Sequence, residues 1–566
     1  MTFDNDGLGE TLFRVDPYIG AGPGGFRATG QGMIRVMEQL EKQVVDMGTI
    51  IHYQTQVESV RRGDKGGWTV KTSSVSDKSA VSSKTCDKLV VATGAFNKAS
   101  LPAFSLPFIH PFRTPVDSHD MTAPLAIHTS HLSDPTIQAA LVSVRRKIVV
   151  VGASKSALDA SERFSTLGHD VTLVFRNPPY LAPAALMLPS GPADAAAMVG
   201  TREKALGVPF PADVVSGQRA SGGFWATAYR WLLHSSWLSS VMHPKLIARS
   251  VSGFARIGQW AHPSLRLMIP KIGLMWSEFS IFPGPEAYVK LVTGAYNDHR
   301  FANLVQDGKI KLVKGAVADM RKTEEAKEQG FKLSIRGENN NETELFATAV
   351  IYGSGWSTGE YPFFDRSLIE SLGLPLPYQE GIPAREDEYL AMDRTMGQSM
   401  LQRLRTMRLM PSDWSIPGYS ARFGGGKSPT WAPYRLYRLM VPLDSLYDRD
   451  IAFAGIPTCK ANHVLFICQA HWIADYLLDL LPRLPSRALA KKEISTQIVW
   501  AQRLFGPSHG RLGQWLGAMW IEYCSRLCWD MGVEDDGKGW DGIVTSDSYD
   551  LSRKRAARDN GGSMRS

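Results

Sequence analysis

Cysteine is scarce in this chain, with 5 residues among 566, and the cysteines form no C-x-x-C pair. No His/Cys spacing of the kind that binds zinc accompanies them. We therefore expect neither a disulfide scaffold nor a metal site. A reduced, cytosol-like compartment is the default that remains.

The first residues and the apolar runs of the sequence predict neither a leader nor a membrane span. Residues 1–6 are acidic and have no apolar core, so no signal peptide is expected. The most apolar stretch, 464–481, still carries Asp475 and Asp479. Each charge costs about 2.5–3.5 kcal/mol at a bilayer centre, so this stretch predicts a buried helix and not a membrane span.

Charge of one sign is in only mild excess, because 63 Lys and Arg stand against 55 Asp and Glu, a net charge of +8. Part of the excess lies near the end, at Arg553, Lys554, Arg555 and Arg558. A solvated tail is the simpler interpretation, and no motif for DNA or RNA supports the alternative of a nucleic-acid or membrane contact. With 44% apolar residues the chain can bury large cores, and its length predicts two or more domains.

What the chain does contain is a series of short Val- and Ile-rich runs. They predict strands at 88–92, 147–151, 169–176 and 349–353, with further sheet segments at 49–57, 68–70, 309–317 and 331–335. Continuous apolar strands are typical of a parallel sheet that helices cover on both faces. Residues 180–290 or so predict a helical insertion, either a substrate-side cap or a core layer, and residues 536–566 predict a disordered tail.

The most informative stretch runs from a buried strand through Gly152 into a helix that starts near Ser156. Gly152 allows a sharp turn, and the free N–H groups and dipole of the helix start favour a phosphate. Ser154 and Ser156 can add hydroxyl donors. Ser154 and Ala157 occupy the second and third glycine positions of the usual G-x-G-x-x-G fingerprint.

Arg176 ends the strand that follows this helix, 24 positions after Gly152. In a dinucleotide site, a residue about 20 positions after the first glycine binds the ribose. It is an acidic residue for a 2′-hydroxyl or an arginine for a 2′-phosphate. We therefore predict NADPH as the ligand, with an Arg–phosphate contact worth about 1.5–3 kcal/mol. The alternative is a surface arginine at a strand end.

Two further apolar strands end at glycine. The first runs into Thr93 and Gly94, and the second into Gly353 and Gly355. A glycine directly after a buried strand lets the backbone pass close to another group. We interpret both as crossovers next to a flavin, with ordinary turn glycines as the alternative.

In their order along the chain these motifs resemble the class B flavin monooxygenases, which include the flavin-containing and the Baeyer–Villiger monooxygenases. The likeness covers about residues 30–535, and 431–438 and 450–455 are similar to fungal secondary-metabolite members. The family's signature histidine lies just before the second Rossmann strand. His128 matches it in position, as a linker between domains, although a plain surface histidine is the alternative.

The resemblance implies an α/β fold with two dinucleotide-binding, Rossmann-like domains, the second inserted into the first. Residues 1–125 and 345–535 would form the FAD domain, and residues 126–344 the NADPH domain. No C-x₄-C redox pair is present, which argues against the disulfide-reductase branch. A two-dinucleotide reductase that inserts no oxygen is a further alternative.

The resemblance also implies the chemistry: with FAD and NADPH, one oxygen of O₂ enters a small apolar metabolite through a C4a-(hydro)peroxyflavin. Because that chemistry belongs mainly to the cofactor, no catalytic side chain is required and none is assigned. A Trp-rich stretch either lines an apolar substrate pocket or packs a core. Its members are Trp225, Trp231, Trp237, Trp260 and Trp276.

The family's FAD motif is expected on the first strand, where the sequence is ambiguous. Gly20, Gly22 and Gly25 fit G-x-G-x-x-G by spacing, but Asp16 and Pro17 interrupt any strand before them. The segment is either the FAD loop or a loop that is merely Gly-rich. In the second case the chain is a shortened homologue that binds NADP(H) or a partner with weak or no turnover.

Overall fold

A computed structural model gives the fold of this chain. It describes residues 30–64, 66–94, 98–112, 114–117, 121–153, 155–176, 181–183, 295–297, 301, 304–305, 307–325, 328–337, 340–357, 359–377, 384–403, 431–459, 462–509, 512–517 and 520–533. Most of the predicted helical insertion, all five tryptophans of the Trp-rich stretch and the predicted tail lie outside these residues.

Twenty-three strands and eight α-helices are described. The strands are β1 (Thr55–Arg62), β2 (Trp68–Ser74), β3 (Val81–Cys86), β4 (Leu89–Val91), β5 (Lys98–Ala99), β6 (Leu125–His128), β7 (Lys147–Val151), β8 (Asp170–Phe175), β9 (Leu181–Pro183), β10 (Ala295–Asn297), β11 (Ile310–Lys314), β12 (Ala316–Glu325), β13 (Glu328–Arg336), β14 (Glu342–Ala347), β15 (Ala349–Tyr352), β16 (Trp356–Ser357), β17 (Leu376–Pro377), β18 (Trp431–Ala432), β19 (Leu436–Tyr437), β20 (Val441–Pro442), β21 (Ile451–Phe453), β22 (Thr458–Cys459) and β23 (Trp515–Gly517). The helices are α1 (Gly30–Asp46), α2 (Pro135–Val142), α3 (Lys155–Thr166), α4 (Arg366–Ser371), α5 (Ala384–Arg403), α6 (Asn462–Leu477), α7 (Arg487–His509) and α8 (Trp520–Asp530). Among these helices, none is both long and apolar enough to cross a membrane.

The described residues fall into two compact units. Unit one consists of those up to Gly94 and from Gly359 onward, and unit two of those between 98 and 357. Unit two therefore lies, in sequence, between the two parts of unit one.

Unit two is built on a five-stranded parallel sheet with the order β11-β8-β7-β15-β6. From β7 the chain moves outward through β8 to β11 and then returns to β15, on the other side of β7. The strand order thus reverses between β7 and β15. In open α/β sheets, ligands bind outside the carboxyl ends of the strands at such a switch point.

Alternating side chains of the parallel strands enter two cores. Ile148 and Val150 of β7 pack with α2 and α3 on one face, and Val149 packs with β12 and β13 on the other. The strands β12, β13 and β14 form an antiparallel sheet that covers this second face. Burial on both faces explains why β7 is an unbroken apolar run, as the sequence predicted.

Local signals fix the ends of the unit-two helices. Asp134 caps α2 by accepting the N–H of Thr136 at 2.8 Å, and Pro135 stands at the first helical position. After α3, the N–H of His169 donates to the carbonyl of Phe164 at 3.1 Å, next to Gly168. This is the pattern of a Schellman C-cap, in agreement with the cap predicted at Gly168.

Unit one contains the antiparallel sheet β1-β2-β3 and the parallel pair β21·β4. Helix α5 packs on α7, and α6 packs on α8. The apolar stretch predicted as a buried helix is α6, with Leu465, Trp472 and Tyr476 fully buried.

Some predicted segments differ from the observed strands in their bounds or in the sheet to which they belong. The sheet segment predicted at 49–57 begins only at Thr55, and the segment at 309–317 is two strands separated by Gly315. Strand β15, which the prediction grouped with the FAD domain, lies in the sheet of Gly152, between β7 and β6. An apolar strand is buried best between two neighbours, and the sequence does not show which sheet supplies them. The cofactor that each unit holds stays a prediction.

Candidate functional site

Gly152 and Gly353 meet at the carboxyl ends of β7 and β15. A Cβ on Gly152 would lie 2.3 Å from the carbonyl oxygen of Gly353, and φ at Gly152 is +133°. Because both the space and the backbone conformation exclude a side chain, only glycine fits there. The N–H of Gly152 donates to the carbonyl of Val174, and that of Gly353 donates to Val151.

Ala157 completes this contact from the first turns of α3. A Cβ on Gly353 would lie 2.5 Å from the Cβ of Ala157 and 3.0 Å from its amide nitrogen. Ala157 is fully buried, while Ser156 is exposed at the start of the same helix. The third glycine of the fingerprint allows a helix to pack closely on the sheet, and here Gly353 and Ala157 share that role. A packing role for Gly353 was not foreseen from the sequence.

The arrangement holds the start of a 12-residue helix at the switch point of the sheet. Unpaired N–H groups and the helix dipole make such a start attractive to a phosphate. Arg176 is exposed directly after β8, the strand beside β7, and thus at the same edge. Ser154, the remaining residue predicted for this site, lies outside the described residues.

His128 is fully buried at the end of β6, so it is not a plain surface histidine. Its Nδ1 accepts the N–H of Ser130 at 3.2 Å, which leaves the proton on Nε2 to donate to the carbonyl of Gly355 at 3.0 Å. Trp356 packs edge-on against the ring, with centroids 5.0 Å apart. Burial lowers the pKa of His128, so the neutral ring is the stable form.

Through these contacts His128 connects β6 to the loop after β15. The carbonyl of Gly355 also accepts the N–H of Ser100 at 3.0 Å. The described contacts of Gly355 are therefore internal ones. Its predicted contact with a flavin stays a prediction, as does the role of His128 as a linker between domains.

A second strand-to-glycine edge lies in unit one, at the carboxyl ends of β4 and β21. Thr93 and Gly94 are exposed there, and a Cβ on Gly94 would meet nothing within 4 Å. Beside them the N–H of Ala454 donates to the carbonyl of Val91 at 2.8 Å, and half-buried Gly455 follows. Gly20, Gly22 and Gly25 lie outside the described residues.

Gly455 was not among the predicted site residues, although a signal for it exists. The run from Ile451 to Gly455 is a buried strand that ends in glycine, the same pattern that ends at Gly94. The parallel pairing of β21 with β4 brings these two ends together.

Arg146 is a buried cation that no sequence motif indicates. Its guanidinium donates to the backbone carbonyls of Met121, Ala123, Ala140 and Thr348 at 2.6 to 3.3 Å. It therefore joins the end of α2 to the residue before β15. Such saturation by carbonyls indicates a structural role and not a ligand site.

Residues 29–188 match the family model described as pyridine nucleotide-disulphide oxidoreductase. Among curated proteins, no significant match was found. The chain is similar to the solved structure of S-allyl-L-cysteine S-oxygenase from Allium sativum, with 11% identity, a TM-score of 0.41 and coverage of 96% of this chain and 75% of that one.

Two further solved structures align with a smaller part of the chain. For ornithine hydroxylase from Pseudomonas aeruginosa the identity is 13%, the TM-score 0.32 and the coverage 61% of this chain and 63% of that one. For L-lysine 6-monooxygenase from Pseudomonas syringae the identity is 14%, the TM-score 0.30 and the coverage 59% of each chain. The chain thus spans less than two thirds of either protein.

The family match includes β4, β7 and α3, and thus the Gly152 turn. Parallel strands that end in glycine, with a helix starting at the switch point, are the features that a dinucleotide-binding fold requires. The α/β dinucleotide-binding fold predicted from the sequence is therefore confirmed, and residues 29–188 are similar to the pyridine nucleotide-disulphide oxidoreductases.

Proposed function

We propose that this chain is an FAD-dependent monooxygenase that takes its electrons from NADPH. The observation that carries the proposal is the edge at Gly152, where α3 starts beside Gly353 and Arg176 follows the neighbouring strand. The ordered motifs that resemble class B flavin monooxygenases support the oxygen-inserting branch.

The residues at this edge fit NADPH. Gly152 and Gly353 let β7, β15 and α3 pack closely, which holds the N–H groups at the start of α3 at the strand edge, where a pyrophosphate can bind. The hydroxyl of Ser156 can donate to it, and the guanidinium of Arg176 can pair with the 2′-phosphate. NADPH, when bound, supplies a hydride, and the chain's part is to orient it and to exclude water.

We assign FAD to the edge of unit one, where two parallel strands also run into glycine. Thr93 and Gly94 are open to solvent, and Gly455 lies at the end of the neighbouring strand. FAD, when bound, supplies the redox and oxygen chemistry, so the backbone at Gly94 and Gly455 has only to hold and orient it. A contribution from Gly20, Gly22 and Gly25 is part of the proposal.

A small apolar metabolite, taken from secondary metabolism, is the proposed substrate, together with O₂. Its support is the resemblance to fungal secondary-metabolite members. The low cysteine count, 5 among 566 residues, supports a reducing compartment such as the cytosol.

An absorption spectrum of the purified protein tests the proposal. We expect stoichiometric yellow flavin, bleaching on addition of NADPH without oxygen, and oxygen uptake with formation of oxidised substrate when air is admitted. Bleaching without any oxidised product would indicate a reductase instead. Colourless protein that binds NADPH but no added FAD would contradict the proposal and favour the shortened homologue.

A further inference from the structure

A chain of hydrogen bonds runs inward from Gly455, the residue that follows β21. The N–H of Gly455 donates to Oε1 of Gln469 at 3.2 Å. Nε2 of Gln469 donates to the hydroxyl of Tyr523 at 3.0 Å, and that hydroxyl donates to the carbonyl of Arg438 at 2.5 Å. Gln469, on α6, is fully buried, and Tyr523 lies on α8.

Each hydrogen bond in this series has a fixed donor and a fixed acceptor. A backbone N–H only donates and a carbonyl only accepts, so Gln469 must turn its oxygen to Gly455 and its nitrogen to Tyr523. Burial also raises the pKa of Tyr523, so the hydroxyl keeps the proton that it donates. Such a network is costly to break in part, because each remaining polar group is buried without a partner.

The series of hydrogen bonds ends, on the inside, at a strained turn. Arg438 and Leu439 have φ of +53° and +54°, a region that non-glycine residues rarely adopt. The guanidinium of Arg438 is held by Asp530, with Nε to Oδ2 at 2.7 Å, and by Glu493, with Nη1 to Oε2 at 2.7 Å. Strain of this kind persists only where the surroundings fix it, so Arg438 is a rigid anchor for Tyr523.

We infer that Gln469 is a positioning residue for the flavin edge: from the anchor at Arg438 it fixes the amide of Gly455. The inference rests on the proposed function, since it assumes that FAD lies at this edge. Gln469 holds the N–H of Gly455 from inside unit one, and the open side of the same backbone segment would face the cofactor. It thus sets how closely residues 454–456 approach FAD, and no other chemistry is assigned to it.

The test measures FAD affinity by fluorescence titration and records the spectrum of the bound flavin. Gln469→Leu removes both contacts and should weaken FAD binding about tenfold, shift the flavin absorption band and leave NADPH affinity unchanged. Gln469→Glu should restore affinity and spectrum, because a buried carboxylic acid is neutral and can accept from Gly455 while donating to Tyr523. Tyr523→Phe keeps the contact to Gly455 but frees Gln469, and a loss of about threefold is expected.

Gln138→Leu is the matched control, since Nε2 of Gln138 donates to the carbonyl of Leu132 at 2.6 Å in unit two. It should leave the flavin spectrum and FAD affinity unaltered. Equal FAD affinity and an identical spectrum for wild type and Gln469→Leu would overturn the inference, as would the same loss in Gln138→Leu. If Gln469→Leu does not fold, Tyr523→Phe decides by the same measurements. A wild-type protein that binds no FAD would refute the proposed function, and the inference would fall with it.

Discussion

Single residues at the two edges differ in how far the sequence could predict their roles. The sharp turn at Gly152 was predicted from its place after a buried strand and agrees with its φ of +133°, whereas its role in binding a phosphate stays a prediction. The roles of Gly353 and Gln469 depend on partners 196 and 14 positions away, at Ala157 and Gly455. No local pattern of residue types specifies such partners.

Arg176 supports a prediction at the same scale. Arg176→Ala should weaken NADPH binding about ten- to hundredfold, because one charge-assisted contact to the 2′-phosphate is lost, and NADH binding should hardly change. Titration of both nucleotides by fluorescence measures the two affinities.

Arg163→Ala is the control for Arg176→Ala, because Arg163 is a surface arginine on α3 that donates to Oε1 of Gln138. It should alter neither affinity. A parallel loss of NADPH and NADH binding in Arg176→Ala would remove the assignment of the 2′-phosphate to Arg176.

At the scale of elements, apolar runs predicted well where the parallel strands lie in the sequence. They predicted less well which strands pair with one another. Strand β7 matches its predicted bounds, 147–151, and β4 and β8 lie within one residue of theirs at each end. The placement of β15 was missed, because a strand buried on both faces has the same sequence pattern in either sheet. The split at Gly315 was missed because valines stand within four residues on both sides of it.

The contact of β15 with α3 gives a prediction about stability. In Gly353→Ala the new Cβ would lie 2.5 Å from the Cβ of Ala157, so the helix must move, at a cost of about 1–3 kcal/mol in the free energy of unfolding. Adding Ala157→Gly removes the Cβ that is struck and should recover part of the loss. Urea unfolding of the single and double variants measures both effects.

Gly337→Ala is a suitable control for that series, since its new Cβ would come no closer than 3.5 Å, to the carbonyl of Asn341. It should cost much less than Gly353→Ala. Equal losses, or a double variant less stable than Gly353→Ala alone, would show that the approach of α3 to β15 is not tight.

At the scale of the whole molecule, we expect the stability of unit two to depend on pH. Burial is the main cause that lowers the pKa of His128, His131 and His169 in this unit. The nearby charge of Arg146 lowers the pKa of His169 further, and Asp134 acts in the opposite direction on His131. All three rings therefore prefer to be neutral in the folded unit.

Because the unfolded chain binds these protons more readily, folding is favoured fully above the ordinary histidine pKa of about 6.5 and less as the pH falls below it. Each histidine adds at most about 1.4 kcal/mol per pH unit to the slope, down to its own folded pKa. Urea unfolding between pH 5 and 8 measures that slope.

His128→Gln keeps an N–H that can donate to Gly355 but does not titrate, so its slope below pH 6.5 should be shallower than that of the wild type. An unchanged slope would mean that His128 is protonated as easily in the folded protein as in the unfolded chain.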